Sequence, residues 1–227
     1  MTDTTARPTD HAARTTDTTA RTTDRATRPT DTQETNVTAG AAPAATAAPA
    51  TTGATIWLTG LPSAGKTTIA HELAGRLRTE GHAVEVLDGD EIREFLSAGL
   101  GFSREDRHTN VQRIGFVAEL LASNGVKALV PVIAPYADSR EAVRKRHQGE
   151  GTPYVEVHVA TPVEVCSERD VKGLYAKQAA GELSGLTGVD DPYEEPESPD
   201  LRIESHQQTV QESAAALHAL LTERGLA

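Results

Sequence analysis

A short glycine-containing loop restricts the fold of this chain more than any other feature. Residues 60–67, Gly-Leu-Pro-Ser-Ala-Gly-Lys-Thr, match the pattern G-x-x-x-x-G-K-[ST] of a phosphate-binding loop. Residues 54–59 before it are rich in β-branched and aromatic side chains, and residues 68–78 after it repeat apolar side chains at helical spacing. The motif requires a strand before it and a helix after it, and the sequence predicts both. A chance glycine-rich turn is the alternative, and the flanking segments speak against it.

The chemistry of such a loop follows from its backbone. Gly60 and Gly65 let the chain turn and approach a phosphate chain closely, while the N–H groups at the start of the next helix point at the anion. Lys66 can reach the outer phosphates, and the Thr67 hydroxyl can bind Mg²⁺. The loop therefore predicts a nucleotide site.

Composition limits the classes of partner. The 227 residues include 22 Lys and Arg and 33 Asp and Glu, a formal net charge of −11. Nucleic-acid binding requires a basic face, whereas an anionic small substrate requires only local positive charge. Cys166 is the only cysteine, which excludes an intrachain disulfide and fits a reducing cytosol. No apolar run approaches the ~20 residues of a membrane span, and no secretory signal is recognisable. We expect a cytoplasmic protein that binds neither nucleic acid nor membrane.

Residues 1–52 differ in composition from the rest. They consist mainly of Thr, Ala, Pro, Arg and Asp, and the hexapeptide at residues 2–7 recurs at residues 16–21. Such a segment cannot bury enough apolar surface to offset the entropy of ordering. We predict a disordered tail over residues 1–52 and one folded domain over residues 53–227. A transit peptide is the alternative, but regularly spaced aspartates contradict the acid-poor composition of transit peptides.

Predicted strands and helices alternate through the folded part. The predicted strands are residues 54–59, 83–87, 127–133, 154–159 and, weakly, 201–204. The predicted helices are residues 68–78, 91–96, 104–123, 139–148, 162–170 and 207–224. Residues 172–199, here called the cover, are charged, contain Gly and Pro and suit a mobile lid. This alternation predicts a parallel sheet with helices on both faces. Ligands of such sheets bind beyond the carboxyl ends of the strands, so the loops there should converge on one crevice.

Two carboxylates follow the second predicted strand. Asp88 and Asp90 are one residue apart. A phosphoryl-transfer enzyme needs one group to order Mg²⁺ and another to orient the attacking hydroxyl, and these two side chains could divide those tasks. Taken alone, Asp-Gly-Asp is a common turn. Arg93 lies one helical turn after Asp90, which would place it beside that carboxylate. A surface ion pair with a neighbouring glutamate is the alternative for Arg93.

An aromatic side chain flanks a cationic cluster over residues 101–110. Phe102 precedes Arg104, Arg107 and Asn110. An aromatic ring can stack on a base, while Arg and Asn can bind anionic oxygens. The alternative is that Phe102 anchors a loop and the arginines cover a solvated helix face. These residues alone do not decide between the two.

Two smaller predictions concern helices. Cys166 is predicted to be a packed small residue rather than a nucleophile, because no activating His lies near it in sequence. The run Arg144, Lys145, Arg146 is predicted to be a solvated helix face.

Six motifs in a fixed order resemble the adenylylsulfate kinase (APS kinase) family, and the resemblance extends from residue 55 to the C-terminus. They are Gly-Leu-Pro-Ser-Ala-Gly-Lys-Thr-Thr, Leu-Asp-Gly-Asp-x-Ile-Arg, Leu-Gly-Phe-Ser-x-x-Asp-Arg-x-x-Asn, Ile-Ala-Pro-Tyr, Arg-Asp-Val-Lys-Gly-Leu-Tyr and Thr-Gly-Val-Asp-Asp-Pro-Tyr-Glu-x-Pro. The resemblance implies a P-loop fold like that of nucleoside-monophosphate kinases, with a five-stranded parallel sheet, helices on both faces and a lid.

The resemblance also implies an activity. The family transfers the γ-phosphoryl group of ATP to the 3′-hydroxyl of adenosine 5′-phosphosulfate (APS), which gives 3′-phosphoadenosine 5′-phosphosulfate, the activated sulfate of sulfate assimilation. It implies Mg²⁺ as the cofactor and a homodimer as the assembly. Sulfate adenylyltransferase, which makes APS, is a possible partner of the tail.

Residue roles follow by motif position. The residues implied to contact ATP are Gly60, Leu61, Pro62, Ser63, Ala64, Gly65, Lys66, Thr67, Thr68 and Arg169. Those implied to contact APS are Asp90, Arg93, Phe102, Arg107, Asn110, Ile133, Ala134, Lys172, Gly173, Leu174, Leu186 and Thr187. Lys66, Asp88 and Asp90 are the implied catalytic residues. Thr67 would bind Mg²⁺, with Asp88 acting through a metal-bound water.

Two positions depart from the family pattern. Many members have Ser where this chain has Ala134, and a phosphoserine has been proposed there. Alanine has no hydroxyl, so we expect direct in-line transfer. Many members have Phe where this chain has Leu186. Leucine can cover a base but loses ring stacking, which is worth about 1–3 kcal/mol per base in comparable contacts.

Two other functions remain open from the sequence. A kinase of the same fold could phosphorylate another small hydroxyl metabolite, such as gluconate, shikimate or an antibiotic. A nucleotide-dependent interaction protein could use the phosphate-binding loop as a switch and the tail as its partner segment. The second hypothesis predicts slow ATP turnover that does not depend on APS.

Overall fold

The structure of the protein is a computed structural model in which residues 52–227 are described. Residues 1–51, which make up almost all of the predicted tail, lie outside the described residues. The prediction for the tail therefore stays a prediction. Within residues 52–227, no helix combines the length and the apolar composition needed to cross a membrane.

Five parallel strands form a single sheet. They are β1 (Ala54–Thr59), β2 (Val84–Val86), β3 (Lys127–Pro131), β4 (Tyr154–Val159) and β5 (Leu201–Ile203). Their order is β2-β3-β1-β4-β5, and every paired neighbour is parallel. The central strand β1 pairs with β3 on one side and β4 on the other, so that Ile56 lies opposite Leu129 and Val155. The predicted parallel sheet is confirmed.

Seven helices accompany the described strands. They are α1 (Lys66–Thr79), α2 (Gly89–Phe95), α3 (Arg104–Ser123), α4 (Ala137–Gly149), α5 (Val163–Arg169), α6 (Leu174–Ala179) and α7 (Val210–Glu223). Helix α7 begins three residues later than predicted, because Thr209 caps it in a reciprocal capping box with Glu212. Helix α6, which lies inside the cover, is not among the predicted helices. Its first N–H groups are bound by the carboxylate of Asp170, which accepts from Tyr175 and Ala176.

Apolar side chains cover both faces of the sheet. All six residues of β1 are buried. Ile56 and Leu58 point into a cluster built by α1 and α7, whereas Trp57 points into a second cluster with Ile114 of α3 and Val143 of α4. Alternate residues of a strand face opposite sides, so a strand with a buried residue at every position needs helices on both faces. Cys166 is buried in the first cluster, as predicted.

One basic side chain predicted to be solvated is half-buried instead. Arg144 donates to the carboxylate of Glu156 in β4 at 2.7 Å, and its side chain is only 24% exposed. Lys145 lies at the surface beside Glu141. The prediction of a solvated face is therefore wrong for Arg144, because a charge in the adjacent strand, twelve positions along the chain, draws it inward.

Close packing of α3 on α4 depends on a glycine. A Cβ atom at Gly115 would lie 2.6 Å from Cγ2 of Val143, closer than a real contact permits. A Cβ atom at Gly75 in α1 would meet nothing within 4 Å. The two glycines are a matched pair of helical positions that differ in the space around them.

We expect Gly115→Ala to lower the free energy of unfolding by about 1–3 kcal/mol, because the new methyl group forces α3 away from α4. Gly75→Ala should raise it by about 0.4–1 kcal/mol, because alanine restricts the unfolded chain. Urea unfolding of the two variants and the wild type measures both effects. A Gly115→Ala protein as stable as the wild type would contradict this account of the packing.

Candidate active site

The phosphate-binding loop, residues 60–67, connects β1 to α1. Gly60 approaches the sheet so closely that a Cβ atom there would lie 2.5 Å from the carbonyl oxygen of Val159. Gly65 has a φ of 101°, in the left-handed region that favours glycine, and it opens α1 at Lys66. The first N–H groups of α1 have no partner within the helix and carry the positive end of its dipole. The loop therefore presents an anion site at the carboxyl edge of the sheet.

The ammonium group of Lys66 is held by the loop itself. Its Nζ donates to the carbonyl oxygens of Gly60 at 3.0 Å and Leu61 at 2.7 Å. The pKa of Lys66 is lowered from 10.5 to about 8, chiefly by burial and to a smaller extent by the nearby charge of Lys172. A phosphate group that approaches this buried cation would be strongly attracted, because water screens it little.

Two oxygen ligands meet beside the start of α1. The hydroxyl of Thr67 donates to Oδ2 of Asp88 at 3.0 Å. The other oxygen of Asp88 accepts from the backbone N–H of Asp90 at 2.9 Å and so caps α2. Within residues 52–227 no group of three or more His, Cys, Asp and Glu side chains could hold a metal ion. The hydroxyl and carboxylate are nevertheless hard oxygen donors of the kind that Mg²⁺ prefers.

The cover contacts the acidic pair directly. The carboxylate of Asp90 is paired with the ammonium group of Lys172, and both side chains are exposed to solvent. Asp90 is thus held at the open side of the crevice, on the first turn of α2.

Phe102 is an exposed ring rather than a loop anchor. It is 66% exposed, which excludes the anchor interpretation. The guanidinium carbon of Arg93 lies 4.5 Å from the ring centroid, and Arg93 donates to the carbonyl oxygen of Gly101 at 3.1 Å. Arg93 therefore packs on the aromatic ring and not in the surface ion pair considered above. An exposed ring beside a cation suits the stacking of a base.

Arg107 joins α3 to the cover. Its side chain donates to the carbonyl oxygen of Phe102 at 2.8 Å, to Oγ1 of Thr187 at 2.9 Å and to the carbonyl oxygen of Gly185 at 2.7 Å. It also lies 3.2 Å from the carboxylate of Asp191. The side chain is only 7% exposed, so it is no solvated helix face.

Asn110 carries an unsatisfied acceptor. Its side-chain oxygen is buried and has no hydrogen-bond partner within the described part of the chain. Buried polar atoms are nearly always bonded, and a ligand that donates a hydrogen bond is one explanation of an exception. Asn110 lines the cavity described next.

One cavity of about 760 Å³ brings the two halves of the predicted site together. The predicted site residues that line it are Pro62, Ser63, Ala64, Gly65, Lys66, Thr67, Thr68, Asp88, Asp90, Arg93, Phe102, Arg107, Asn110, Ile133, Ala134, Arg169, Lys172, Leu174, Leu186 and Thr187. Three predicted residues, Gly60, Leu61 and Gly173, are not among its lining residues. Leu61 instead packs under Gly188 of the cover.

Part of the cavity wall is formed by residues that are not among the predicted site residues. The additional lining residues are Ile69, Gly89, Val111, Pro131, Val132, Pro135, Val171, Leu183, Ser184, Gly185, Ser205, Gln208, Val210 and Ser213. Ser205 was within reach of sequence analysis, because it follows β5 as the predicted loops follow β1, β2 and β3. Its hydroxyl donates to the carbonyl oxygen of Ala64 at 2.7 Å, and Arg169 donates to the Ser205 hydroxyl and carbonyl oxygens.

The adenylylsulphate kinase family model matches residues 52–204 of this chain. The chain belongs to this family. It is 54% identical over 173 residues to the adenylyl-sulfate kinase of Rippkaea orientalis. The aligned residues make up 76% of this chain and 93% of that protein. Both the resemblance found from the motifs and the predicted P-loop kinase fold are confirmed.

Solved structures of the family have the same fold. One is the APS kinase CysC of Mycobacterium tuberculosis in complex with AMPPNP and APS, which superposes on this chain with a TM-score of 0.73 and 44% sequence identity. The superposition covers 75% of this chain and 98% of that one. Another is a hexameric APS kinase from Thiobacillus denitrificans, with a TM-score of 0.60 and 34% sequence identity. The superposition covers 78% of this chain but only 30% of that longer chain.

The two departures from the family pattern both lie in the cavity wall. Ala134 is buried and has a φ of 44°, which is uncommon for a residue with a side chain. Leu186 is buried and packs with the apolar cluster around α1 while one side of it faces the cavity. An aliphatic surface therefore covers the cavity where many family members present a ring.

We expect the affinity for ATP to fall as the pH rises through about 8, the pKa of Lys66, because the neutral amine no longer attracts the phosphates. Above that pKa the binding constant for ATP should fall by up to about tenfold per pH unit, which is the limit for the loss of one proton. Calorimetric titration of the protein with ATP between neutral and alkaline pH measures it. Lys66→Arg should flatten the profile, because a guanidinium group keeps its charge. A wild-type affinity that is constant over this range would contradict the assignment.

Proposed function

We propose that this protein is an APS kinase that passes the γ-phosphoryl group of ATP directly to the 3′-hydroxyl of APS. The observation that carries the proposal is the single cavity that joins a phosphate-binding loop to an exposed aromatic ring flanked by cations. Phosphoryl transfer needs little covalent chemistry from the protein and depends on positioning and charge. Membership of the APS kinase family supports the choice of acceptor.

The phosphate-binding loop would hold the triphosphate. Backbone N–H groups at the start of α1 would bind the phosphate oxygens, and Lys66 would move from the loop carbonyls to the outer phosphates. Arg169, fixed by Ser205 beside Ala64, would lie near the nucleotide base. These residues bind and orient the donor, which brings the γ-phosphorus toward the acidic pair.

Thr67 and Asp88 are the residues that would hold Mg²⁺, since their oxygens already meet at 3.0 Å. The ion would neutralise the charge that develops on the transferred group. Thr67 would bind it directly and Asp88 through a water. Asp88 has a second task in the protein itself, because its other oxygen caps α2 and thereby places Asp90.

Asp90 would orient the acceptor hydroxyl and accept its proton. Its carboxylate stands at the open side of the cavity, where Lys172 holds it in position. A carboxylate in hydrogen-bond reach of the attacking hydroxyl is the usual arrangement in kinases. Ala134 has no hydroxyl to accept the phosphoryl group, which supports a direct transfer rather than a phosphoenzyme.

The remaining acceptor residues would bind the sulfonucleotide. Phe102 would stack on its adenine, and Leu186 would cover the opposite side. Arg93 and Arg107 lie 4.5 and 5.6 Å from the Phe102 ring centroid and supply positive charge for the phosphosulfate. The amide group of Asn110 would bind the phosphosulfate side of APS, and its unsatisfied oxygen would accept a hydrogen bond from the bound ligand.

We propose a homodimer in the cytoplasm as the form of the enzyme, on the strength of the family resemblance. We also propose that residues 1–52 bind a sulfate adenylyltransferase, because such an enzyme makes the substrate. Light scattering of the full chain tests the first. A pull-down compares the full chain with a variant that lacks residues 1–52. If both capture the sulfate adenylyltransferase equally, the proposed association is contradicted.

We expect Asp90→Asn to lower kcat for APS phosphorylation by about 10²–10⁴-fold, the usual contribution of a positioned general base. Lys66→Ala should abolish the activity, because the donor phosphates lose their buried cation. Glu91→Gln is the matched control, since Glu91 lies next to Asp90 on α2 but not among the lining residues of the cavity in the described chain. The assay mixes protein, ATP, Mg²⁺ and APS and identifies the product by mass. Full activity of Asp90→Asn would contradict its role.

The same assay, with another acceptor in place of APS, tests the alternative substrates. ADP release with gluconate or shikimate, at a kcat/KM equal to or above that with APS, would overturn the proposed acceptor. Slow ADP release at a rate that does not depend on APS would favour a nucleotide-dependent interaction protein instead.

A further inference from the structure

A buried arginine lies behind the loop that follows β3. Arg140 of α4 is only 3% exposed, and its guanidinium group bonds three separate parts of the chain. Its Nε donates to Oε1 of Glu156 in β4 at 3.1 Å, its Nη1 to the carbonyl oxygen of Ala134 at 2.7 Å, and its Nη2 to the carbonyl oxygen of Glu194 at 2.6 Å. Arg140 is not among the cavity-lining residues of the described chain.

The loop that Arg140 holds shapes the acceptor side of the cavity. Residues 132–135, here called the exit loop, all line the cavity. Ala134 at its centre has a φ of 44°, and such a conformation persists only where surrounding contacts impose it. The bond from Arg140 fixes the peptide that follows this strained residue. A bond from the Thr59 hydroxyl to the carbonyl oxygen of Ile133, at 2.5 Å, fixes the peptide before it.

The same arginine ties the exit loop to the end of the cover. The backbone N–H of Glu194 donates to the carbonyl oxygen of Pro135 at 2.8 Å, and its carboxylate accepts from the N–H of Ala137 at 2.7 Å. Arg140 closes this arrangement through the Glu194 carbonyl oxygen. Three residues before Glu194, Asp191 contacts Arg107 at the acceptor side. The exit loop and the cover therefore share one buried guanidinium group.

We infer that Arg140 is a positioning residue for the acceptor: it holds the exit loop and the cover in the arrangement that shapes the APS side of the cavity. The inference rests on the proposed function for the identity of the acceptor. Arginine suits the task because its planar fork donates in three fixed directions at once, whereas lysine cannot reproduce that geometry. Glu156 compensates the buried charge.

Arg144 provides a matched control for Arg140. It lies one turn later on α4 and donates to the other oxygen of the same Glu156 carboxylate, at 2.7 Å. Its further partners are Asp200 at 3.7 Å, Glu141 at 3.9 Å and the ring of Tyr154, whose centroid is 5.0 Å from the guanidinium carbon. None of these partners within the described residues belongs to the exit loop. Loss of either arginine weakens the buried charge cluster, but only loss of Arg140 removes a donor from the carbonyl oxygens of Ala134 and Glu194.

The test compares Arg140→Lys and Arg144→Lys in steady-state kinetics with ATP and APS varied in turn. Arg140→Lys should raise KM for APS by about tenfold or more, because the misplaced wall no longer fits the acceptor. Its KM for ATP should stay within about twofold, because the phosphate-binding loop is untouched. Arg144→Lys should leave both KM values within about twofold of the wild type, even if both variants lower Tm.

Two further variants separate positioning from general damage. Ala134→Gly in the Arg140→Lys background should bring KM for APS back toward the wild-type value, because glycine adopts the positive φ without support. Glu194→Ala keeps the carbonyl oxygen that Arg140 binds but removes the carboxylate that accepts from the N–H of Ala137. It therefore loosens the same junction of exit loop and cover from its other side, and it should raise KM for APS even if Arg140→Lys does not fold.

Three results would overturn the inference about Arg140. An active wild type in which Arg140→Lys and Glu194→Ala leave KM for APS unchanged would overturn the inference alone. An Arg144→Lys variant with the same rise in KM for APS would also overturn it, because the effect would then belong to the charge cluster. A wild type that does not phosphorylate APS would overturn the proposed function, and the inference with it.

Discussion

Parallel pairing of β1 with both β3 and β4 is the constraint on which the rest of the structure depends. Because parallel strands all end at the same edge, the phosphate-binding loop, the acidic pair after β2, the exit loop after β3 and Ser205 after β5 meet there. The central strand is buried on both faces, so it gives the loop at Gly60 a rigid base. Donor and acceptor residues can thus share one cavity without a second domain.

The cavity gathers positive charge on an acidic chain. The net charge is −11, yet the wall of the cavity includes Lys66, Arg93, Arg107, Arg169 and Lys172. Four of these cations donate to carbonyl oxygens: Lys66 to the phosphate-binding loop, Arg93 to Gly101, Arg107 to the cover and Arg169 to Ser205. Carbonyl oxygens hold a cation in place without neutralising it, which suits a site that must bind two anionic nucleotides. Within the described residues, Arg107 and Lys172 differ from the other three in that each forms an ion pair with a carboxylate, of Asp191 and Asp90 respectively. Local charge, and not net charge, decides what such a protein binds.

Features carried by contiguous residues were predictable from the sequence. The phosphate-binding loop, the bounds of α3 and the bounds of β1 and β4 follow from short motifs and periodicity. Features that depend on distant partners were not. Arg144 is drawn inward by Glu156, and Arg107 by residues about 80 positions away. The helix α6 was missed for a different reason. The Asp170 carboxylate that binds its first N–H groups is close in sequence, but a helix of six residues shows too little periodicity to be recognised. For Phe102 the sequence left two interpretations, and its exposure decides between them.

The central claim is that both nucleotides lie in one cavity and that the phosphoryl group passes between them in a single step. The most direct measurement is the stereochemical course of the reaction with ATP made chiral at the γ-phosphorus. A single in-line displacement inverts the configuration at phosphorus, and we expect inversion in the 3′-phosphate of the product. Retention would require two displacements and a phosphorylated enzyme, and would contradict the account.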